Sequence, residues 1–472
     1  MKPHLHVIGI CGTAMAGLAA LSQDGGWRVT GSDQGIYPPM SDFLAARGIP
    51  VAEGFRAENL HPRPDLVLVG NAISRRNPEL EALMDAGIPF RSGAQWLHEH
   101  LLEGRHPVVI TGTHGKTTTS SLTAWLMQQA GWQPGFLIGG IPRNFGEGAR
   151  YPGGPWVVVE GDEYDTAFFD KRPKFLHYHP RTLILHNLEY DHADIYPDLE
   201  SIRRQFRLLL RIVPASGLIL ANGDDPEIRA LTATAWSPVV TYGLEGEHPF
   251  SARMEQPDGR RWTLLRHGEA LFSVSWELLG RHNISNALAA AAVALSHGMD
   301  PRQVHLGLES FQGVARRLEL RGVYGGVSVH DDFGHHPTAL ATTLAGLRAR
   351  MGIHGRIWAV LEPRSNTMRR RVHQERLPAA LQQADALVLA RPEDPRLPPE
   401  ELLDVDLVTA RWREMRGLDT AWVVRDAAEA VQRLQSGVQP GDHVVIMSNG
   451  GFGGIHKRLA DALGHQDHGE DS

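Results

Sequence analysis

The sequence predicts an α/β protein in three consecutive units: a Rossmann-like N-terminal domain, a P-loop ATPase-type central domain and a Rossmann-like C-terminal domain. Three observations carry this reading. Short apolar runs alternate with helical stretches along the chain, the pattern of parallel sheets covered by helices. One such run, residues 108–110, feeds the glycine-bearing stretch Gly112-Thr-His-Gly-Lys-Thr-Thr118. At 472 residues the chain also exceeds what a single hydrophobic core serves. The expected domains are 1–105, 106–314 and 315–472.

The phosphate-loop reading is the firmest. Lys116 and Thr117 open a helical pattern that runs to about Ala130 and stops at Gly131. Glycines let backbone N–H groups close on oxyanions, and a helix N-terminus adds favourable potential. The lysine can reach β- and γ-phosphates and the threonine hydroxyl can ligate Mg²⁺. ATP with Mg²⁺ is therefore the expected ligand. The full Gly-x-x-x-x-Gly-Lys rule would put glycine at position 110, where Ile110 stands.

The N-terminal unit offers strands near residues 6–10, 27–30, 66–69 and 88–90, with helices near 15–22 and 78–86. Its first turn, Gly9-Ile-Cys-Gly12-Thr-Ala-Met-Ala-Gly17, lacks the Gly-x-Gly-x-x-Gly spacing. Gly31-Ser32-Asp33 follows the second strand, where an acid can meet a ribose. These turns fit a nucleotide-linked ligand, and a purely structural role equally well.

In the central unit, runs at 156–159 and 182–185 end in Glu160-Gly-Asp-Glu-Tyr-Asp165 and His186-Asn-Leu-Glu-Tyr-Asp-His-Ala-Asp194. Acidic clusters at carboxyl ends of strands sit where such sheets bind ligands. Glu160 and His192 are candidate cation ligands beside ATP, although imidazole is unusual for Mg²⁺. Solvated strand-to-helix caps are the alternative. Asn283 and Asn286 lie three apart before an Ala-rich helix, either capping it or reading an adenine edge.

The C-terminal unit has strand candidates at 327–330, 357–360, 386–389 and 443–447, after a hinge at Gly313. Three loaded turns follow strand ends: Asp331-Asp-Phe-Gly-His-His-Pro337, Glu362-Pro-Arg-Ser-Asn-Thr367 and Ser448-Asn-Gly-Gly-Phe-Gly-Gly-Ile-His456. Residues 392–399 read as an exposed connection with no assigned role.

Bulk properties exclude other classes. Hydrophobic content of 42% and charged content of 21% describe a globular protein. A net charge of −7 and a pI near 6.4 leave no basic footprint for nucleic acid. No run approaches the roughly 18 apolar residues of a membrane span. The apolar stretch 5–21 is broken by Gly9, Gly12 and Gly17, so it parses as strand, turn and helix rather than a signal segment. The single cysteine, Cys11, excludes an internal disulfide and fits a reducing compartment, so a cytoplasmic location is expected. Residues 464–472 read as a solvated tail. No obligate protein partner is inferred.

Taken together, these motifs resemble the Mur ligase family, ATP-dependent enzymes that build the peptide of bacterial cell-wall precursors. Gly112-Thr-His-Gly-Lys-Thr-Thr118 is similar to that family's phosphate loop, missing first glycine included. The opening Gly-x-x-Gly…Met-Ala-Gly, Arg281-His-Asn and Asp332-Phe-Gly-His-His-Pro337 match as well, and the likeness spans nearly the whole chain. Two branches share these forms: one adds L-alanine to UDP-N-acetylmuramate, and one re-attaches the tripeptide L-Ala-γ-D-Glu-meso-diaminopimelate during cell-wall recycling. The turns 160–171, 362–367 and 448–456 resemble the recycling branch.

The resemblance implies an ATP- and Mg²⁺-dependent ligase whose partners are UDP-N-acetylmuramate and the tripeptide. It implies catalysis by Lys116, Glu160 and His192, with Thr117, Glu160 and His192 on metal. ATP would be held by Gly112, Thr113, His114, Gly115, Lys116, Thr117, Thr118, Asn283, Arg317, Asp332 and His335. The candidates for the UDP-sugar are Gly9, Gly12, Thr13, Ser32, Asp33 and Asn71. Arg364, Ser365 and Asn366 are candidates for the peptide, because a guanidinium can grip a carboxylate through two hydrogen bonds; an interdomain salt bridge is the other reading of Arg364. One departure stands out. Several Mur ligases use a carbamylated lysine downstream of the acidic His motif, yet the only lysines here are Lys2, Lys116, Lys171, Lys174 and Lys457. The second metal's ligands therefore stay open. Competing expectations are the L-alanine-adding ligase, a non-ligating P-loop ATPase or nucleotide-dependent regulator, and a two-metal phosphohydrolase suggested by Asp191-His-Ala-Asp194.

Overall fold

The computed structural model describes residues 2–37 and 40–464, so most of the expected C-terminal tail lies outside the described residues. Three main sheets follow one another along the chain. The first holds β1 (His4–Ile8), β2 (Arg28–Asp33), β3 (Val51–Glu53), β4 (Leu66–Val69) and β5 (Phe90–Ser92) in the order β3-β2-β1-β4-β5. Its neighbours all pair in parallel. That is the expected Rossmann-type arrangement, with its topological switch between β1 and β4. β3 was not expected from the sequence; its three residues are too few to build a visible alternation.

The second sheet is organised around β6 (His106–Thr111). Downstream come β7 (Gly135–Leu137), β8 (Ala149–Arg150) and β9 (Trp156–Gly161), then a separate hairpin of β10 (Asp165–Ala167) and β11 (Asp170–Pro173). β12 (Thr182–Leu185), β13 (Leu218–Asn222), β14 (Val239–Gly243), β15 (Phe250–Met254), β16 (Arg261–Arg266) and β17 (Glu269–Ser275) complete it. The order is β17-β16-β15-β14-β13-β12-β6-β9-β7-β8. β6 thus lies between β9 and β12, parallel to both. The turn after β6 consequently opens between the two acidic turns that follow β9 and β12. The antiparallel β15–β17 edge departs from the simple alternation read in the sequence.

Two helices hold this arrangement rigid. Lys116–Gln129 follows β6, and Arg281–Ser296 packs beside it, wholly buried from Asn286 to Leu295. The run Ala289-Ala-Ala-Ala292 keeps the second helix slim enough for close approach. Leu122, Leu126 and Leu288 are fully buried, each contributing about 2 kcal/mol. Hydroxyls on the buried Lys116–Gln129 helix bond back to their own backbone, Ser121 to Thr117 O at 2.6 Å and Thr123 to Thr119 O at 2.8 Å.

The third sheet comprises β18 (Glu319–Tyr324), β19 (Val327–Asp332), β20 (Ile357–Leu361), β21 (Ala386–Ala390), β22 (Ala421–Val424) and β23 (His443–Met447), ordered β18-β19-β23-β20-β21-β22. All neighbours except β18 and β19 pair in parallel. The turns at the carboxyl ends of β19, β20 and β23 face the central sheet's acidic turns. Asn366 Nδ2 donates to Asp194 at 2.7 Å, and the Ala193 N–H donates to Thr367 Oγ1 at 3.2 Å. No helix among the described residues is long and apolar enough to cross a membrane.

Candidate functional site

A cavity of about 1510 Å³ lies where the three loaded ends meet. Phosphate-loop residues line it together with Glu160, His192, Arg317 and His335, and Ala14 of the N-terminal unit reaches its edge. That volume exceeds the roughly 300–1,000 Å³ of a single small-molecule site, so it can admit more than one substrate.

The phosphate loop is built by what surrounds it. Gly112 sits at φ +141° and Gly115 at φ +81°, backbone that L side chains rarely adopt. A Cβ on Gly115 would come within 2.5 Å of Asn286 Oδ1 and 2.8 Å of His186 Cδ2. Glycine is required there by strain and by space. Asn187 then clamps the turn: its side chain accepts from His114 N at 2.8 Å and donates to His114 O at 3.1 Å, while its carbonyl accepts from Thr113 N at 3.1 Å. The Lys116–Gln129 helix has neither a capping side chain nor an acid in its first turn, so its N-terminal potential is left for an anion.

Charge is concentrated around Lys116. Its ammonium donates to Gly112 O at 2.6 Å and lies 3.4 Å from Glu163. Burial disfavours that charge, but Glu163, Asp162, Glu160 and Asp191 outweigh it and hold the group above the ordinary lysine range. Thr117 Oγ1 donates to Glu160 at 3.3 Å and accepts from Arg317 Nη2 at 3.3 Å. Gly139 N donates to the other Glu160 oxygen at 2.8 Å, yet burial still pushes the Glu160 carboxyl upward.

His192 faces Glu163, with Nε2 3.1 Å from Oε1. Against burial, Lys116 and His192 lower the Glu163 carboxyl, while burial of His192 is outweighed by Glu163, which raises the imidazole. Asp162, Glu163 and His192 bring three donor atoms within 4.8 Å of one another, and His192 Nδ1 is buried with no hydrogen-bond partner among the described residues. Glu160 by itself stands with Thr117. Carboxylate and hydroxyl oxygens at both places suit Mg²⁺, and the glycine cradle with its lysine suits a triphosphate, so the residues present fit both groups. Glu163 was missed in the sequence, where the run Glu160-Gly-Asp-Glu163 gave no sign of which acid would turn toward His192.

Other expected residues divide by surroundings. Asn283 and Asn286 share one side of their helix: Asn286 accepts from Thr119 Oγ1 at 3.1 Å beneath the loop, and Asn283 lines the cavity. Asp332 receives the N–H groups of Leu318 and Gly334 at 2.8 and 2.7 Å, fixing the segment that carries Arg317. His335 lines the cavity, its Nδ1 3.1 Å from Phe333 O.

At the carboxyl ends of the first sheet, Gly9 takes φ +81° after β1, and Gly12 and Thr13 begin the helix Thr13–Asp24, which also has no side-chain cap. Asn71 follows β4 across the switch. The Asp33 carboxylate accepts from Cys11 N at 2.8 Å and Gly35 N at 3.0 Å, which pins the turn, and the Ser32 side chain is buried. Ser365 Oγ accepts from Met368 N at 3.1 Å and Asn366 holds Asp194. Arg364 lies against Gly450, half exposed, with its nearest carboxylate, Glu362, 3.8 Å away.

A second junction lies beside the loop. Glu189 meets His114 Nε2 at 3.2 Å, Thr338 Oγ1 at 2.9 Å and Arg376 Nη2 at 2.6 Å. Although His114, Glu189 and His336 also bring donor atoms within 4.8 Å of one another, the guanidinium already neutralises this carboxylate.

Known proteins resemble this chain domain by domain. Residues 4–105 match the Mur ligase family, catalytic domain; residues 110–294 match the Mur ligase middle domain; and residues 316–450 match the Mur ligase, glutamate ligase domain. The UDP-N-acetylmuramate–L-alanyl-γ-D-glutamyl-meso-2,6-diaminoheptandioate ligase of Escherichia coli (strain K12) is 45% identical over 460 residues, covering 97% of this chain and 98% of the relative. A UDP-N-acetylmuramate–L-alanine ligase of Desulforapulum autotrophicum is 31% identical, covering 98% of each chain. Among solved structures, a murein peptide ligase of Psychrobacter arcticus superposes with a TM-score of 0.75 at 36% identity, covering 98% of this chain and 99% of that one. On this likeness and this site, the chain is a member of the Mur ligase family.

Proposed function

We propose that the chain joins the lactyl carboxylate of UDP-N-acetylmuramate to the α-amine of L-Ala-γ-D-Glu-meso-diaminopimelate, with ATP cleaved to ADP and phosphate. The observation that carries this reading is one cavity bordered by a phosphate loop, two carboxylate turns and Ser365 and Thr367 of the turn that bears Arg364. A carboxylate is a poor electrophile. Transfer of the γ-phosphoryl to its oxygen, with ADP leaving, makes a mixed anhydride. The amine then attacks the acyl carbon, sheds a proton, and phosphate departs as the amide forms.

Such chemistry asks for positioning and charge neutralisation. Lys116 and Arg317 supply positive charge at the loop. The uncapped start of Thr13–Asp24 and Gly9 can receive the sugar nucleotide's diphosphate, with Asn71 across the switch. Bound Mg²⁺ would neutralise phosphate charge, held by Thr117 and Glu160 at one position and by Asp162, Glu163 and His192 at the other. Glu163 thereby offers the carboxylate that a carbamylated lysine offers elsewhere in the family. Arg364, half exposed and only loosely paired with Glu362 at 3.8 Å, can take a peptide carboxylate.

The tripeptide is preferred over L-alanine as amine because the turns 362–367 and 448–456 resemble the recycling branch, and because the more similar relative carries that name. The reading belongs with a cytoplasmic enzyme. L-alanine, L-Ala-γ-D-Glu and the tripeptide offered side by side with ATP, Mg²⁺ and UDP-N-acetylmuramate test it. The tripeptide should be consumed at least tenfold faster than L-alanine; equal or reversed preference would reject the assignment.

A further inference from the structure

We propose that Glu189 and Arg376 are positioning residues for this ligation, holding the C-terminal domain in register with the phosphate loop. The inference rests on the reading above and adds two residues to which the sequence analysis gave no role. Glu189 is fastened to the loop three times: its N–H donates to Thr113 Oγ1 at 2.8 Å, its carbonyl accepts from the same hydroxyl at 3.3 Å, and its carboxylate meets His114 Nε2 at 3.2 Å. The other carboxylate oxygen crosses the domain boundary. It accepts from Arg376 Nη2 at 2.6 Å and from Thr338 Oγ1 at 2.9 Å, and Arg376 Nη2 also reaches Thr338 at 3.1 Å. Thr338 stands in the first turn of the helix Pro337–Met351, immediately after His335 and His336. One carboxylate thus joins the phosphate loop, a helix start of the C-terminal domain and an arginine 187 positions away.

The rest of the same loop repeats the pattern. Ala193 and Asp194, which follow His192, contact Thr367 and Asn366 of the turn that bears Arg364. The segment that presents His192 is therefore docked on the C-terminal domain at both ends. With the Arg376 side chain 48% exposed and Glu189 25% exposed, the pair adds little to folding stability. Its effect is geometric: the amine comes in with the C-terminal domain and the activated acid sits at the loop. A displacement of about 1 Å between them costs on the order of a hundredfold in rate.

The test compares Arg376→Ala, Arg376→Lys and Arg376→Glu with the unaltered chain. Substrate kinetics are run alongside solution X-ray scattering, with and without a non-hydrolysable ATP analogue, and melting temperatures. Arg376→Ala and Arg376→Glu should lower kcat by roughly 10- to 100-fold while KM for ATP stays within about threefold. Melting should shift by no more than about 2 °C, Arg376→Lys should recover part of the rate, and analogue-driven compaction should weaken in step with kcat. Unchanged kcat and compaction in Arg376→Ala and Arg376→Glu would overturn the proposal. So would a loss confined to KM, or one that follows melting and that lysine fails to relieve. An inactive unaltered chain would reject the ligase reading instead, and the scattering comparison would still report on docking.

Discussion

The loop after β6 and the turn after β20 stand at the same cavity and are built in opposite ways. Around Lys116 nearly every polar group is already engaged: carbonyl, carboxylates, hydroxyl and imidazole find partners within 3.5 Å. Around Arg364 the backbone is fixed by Ser365 and Asn366, while the guanidinium lies half exposed with its nearest acid at 3.8 Å. The difference teaches where preorganisation is needed. Phosphoryl transfer rewards charges held in place before the substrate arrives, whereas recognition of a flexible peptide rewards a donor still free to pair.

If that contrast is right, the two ends respond differently to substitution. Lys116→Ala should lower turnover by about 10³-fold or more with the fold intact, read as ADP formation at saturating substrates. Near-normal turnover would break the contrast at its strong end. Glu163→Gln, nearly isosteric, should cost about 10²-fold and raise the Mg²⁺ concentration needed for half-maximal rate. An unchanged Mg²⁺ titration would remove Glu163 from the metal site. Arg364→Ala should raise KM for the tripeptide by about tenfold, the scale of one charge-assisted contact, and leave L-alanine kinetics alone. Equal loss on both amines would assign that arginine to domain packing.

Buried histidines of both the central and the C-terminal units should also make the chain acid-sensitive. His186, beneath the loop, is held at about 4 by burial with His114 and His282 near it, and His330 is held at about 4 by burial beside His443. Unfolded, each takes a proton near the ordinary 6.5. Between those values the unfolded chain binds more protons, so stability falls as pH drops from 6.5 toward 4, by up to about 1.4 kcal/mol per pH unit for each group. Above 6.5 these two contribute no slope. Urea titrations at pH 7.5, 6 and 5 check the sign, and His186→Asn should flatten the acid limb if it folds.

Much of this was legible in the chain because it is local. Gly112, Gly115, Lys116 and Thr117 form a contiguous loop-to-helix pattern whose glycines answer to positive φ and to missing space. The runs behind β4, β12 and β23 were read with their observed bounds, since fully buried parallel strands are apolar throughout. What escaped was non-local or short. Asn187 clamps a loop 73 positions away, and the Glu189–Arg376 bond spans 187, pairings that no single sequence states. Ser32 and Asp33 were read as following a strand, but they are the last two residues of β2, with the Asp33 carboxylate on backbone N–H groups and Ser32 buried. β3 and the β10–β11 hairpin, with three- and four-residue strands, leave too little periodicity to see.

The most direct measurement follows phosphate and product together in one reaction containing ATP, Mg²⁺, UDP-N-acetylmuramate and the tripeptide. Inorganic phosphate should appear in a one-to-one ratio with the new amide and should nearly stop when the tripeptide is withheld. Phosphate released at the same rate without the amine, or with no amide formed, would contradict a site built to activate an acid for capture.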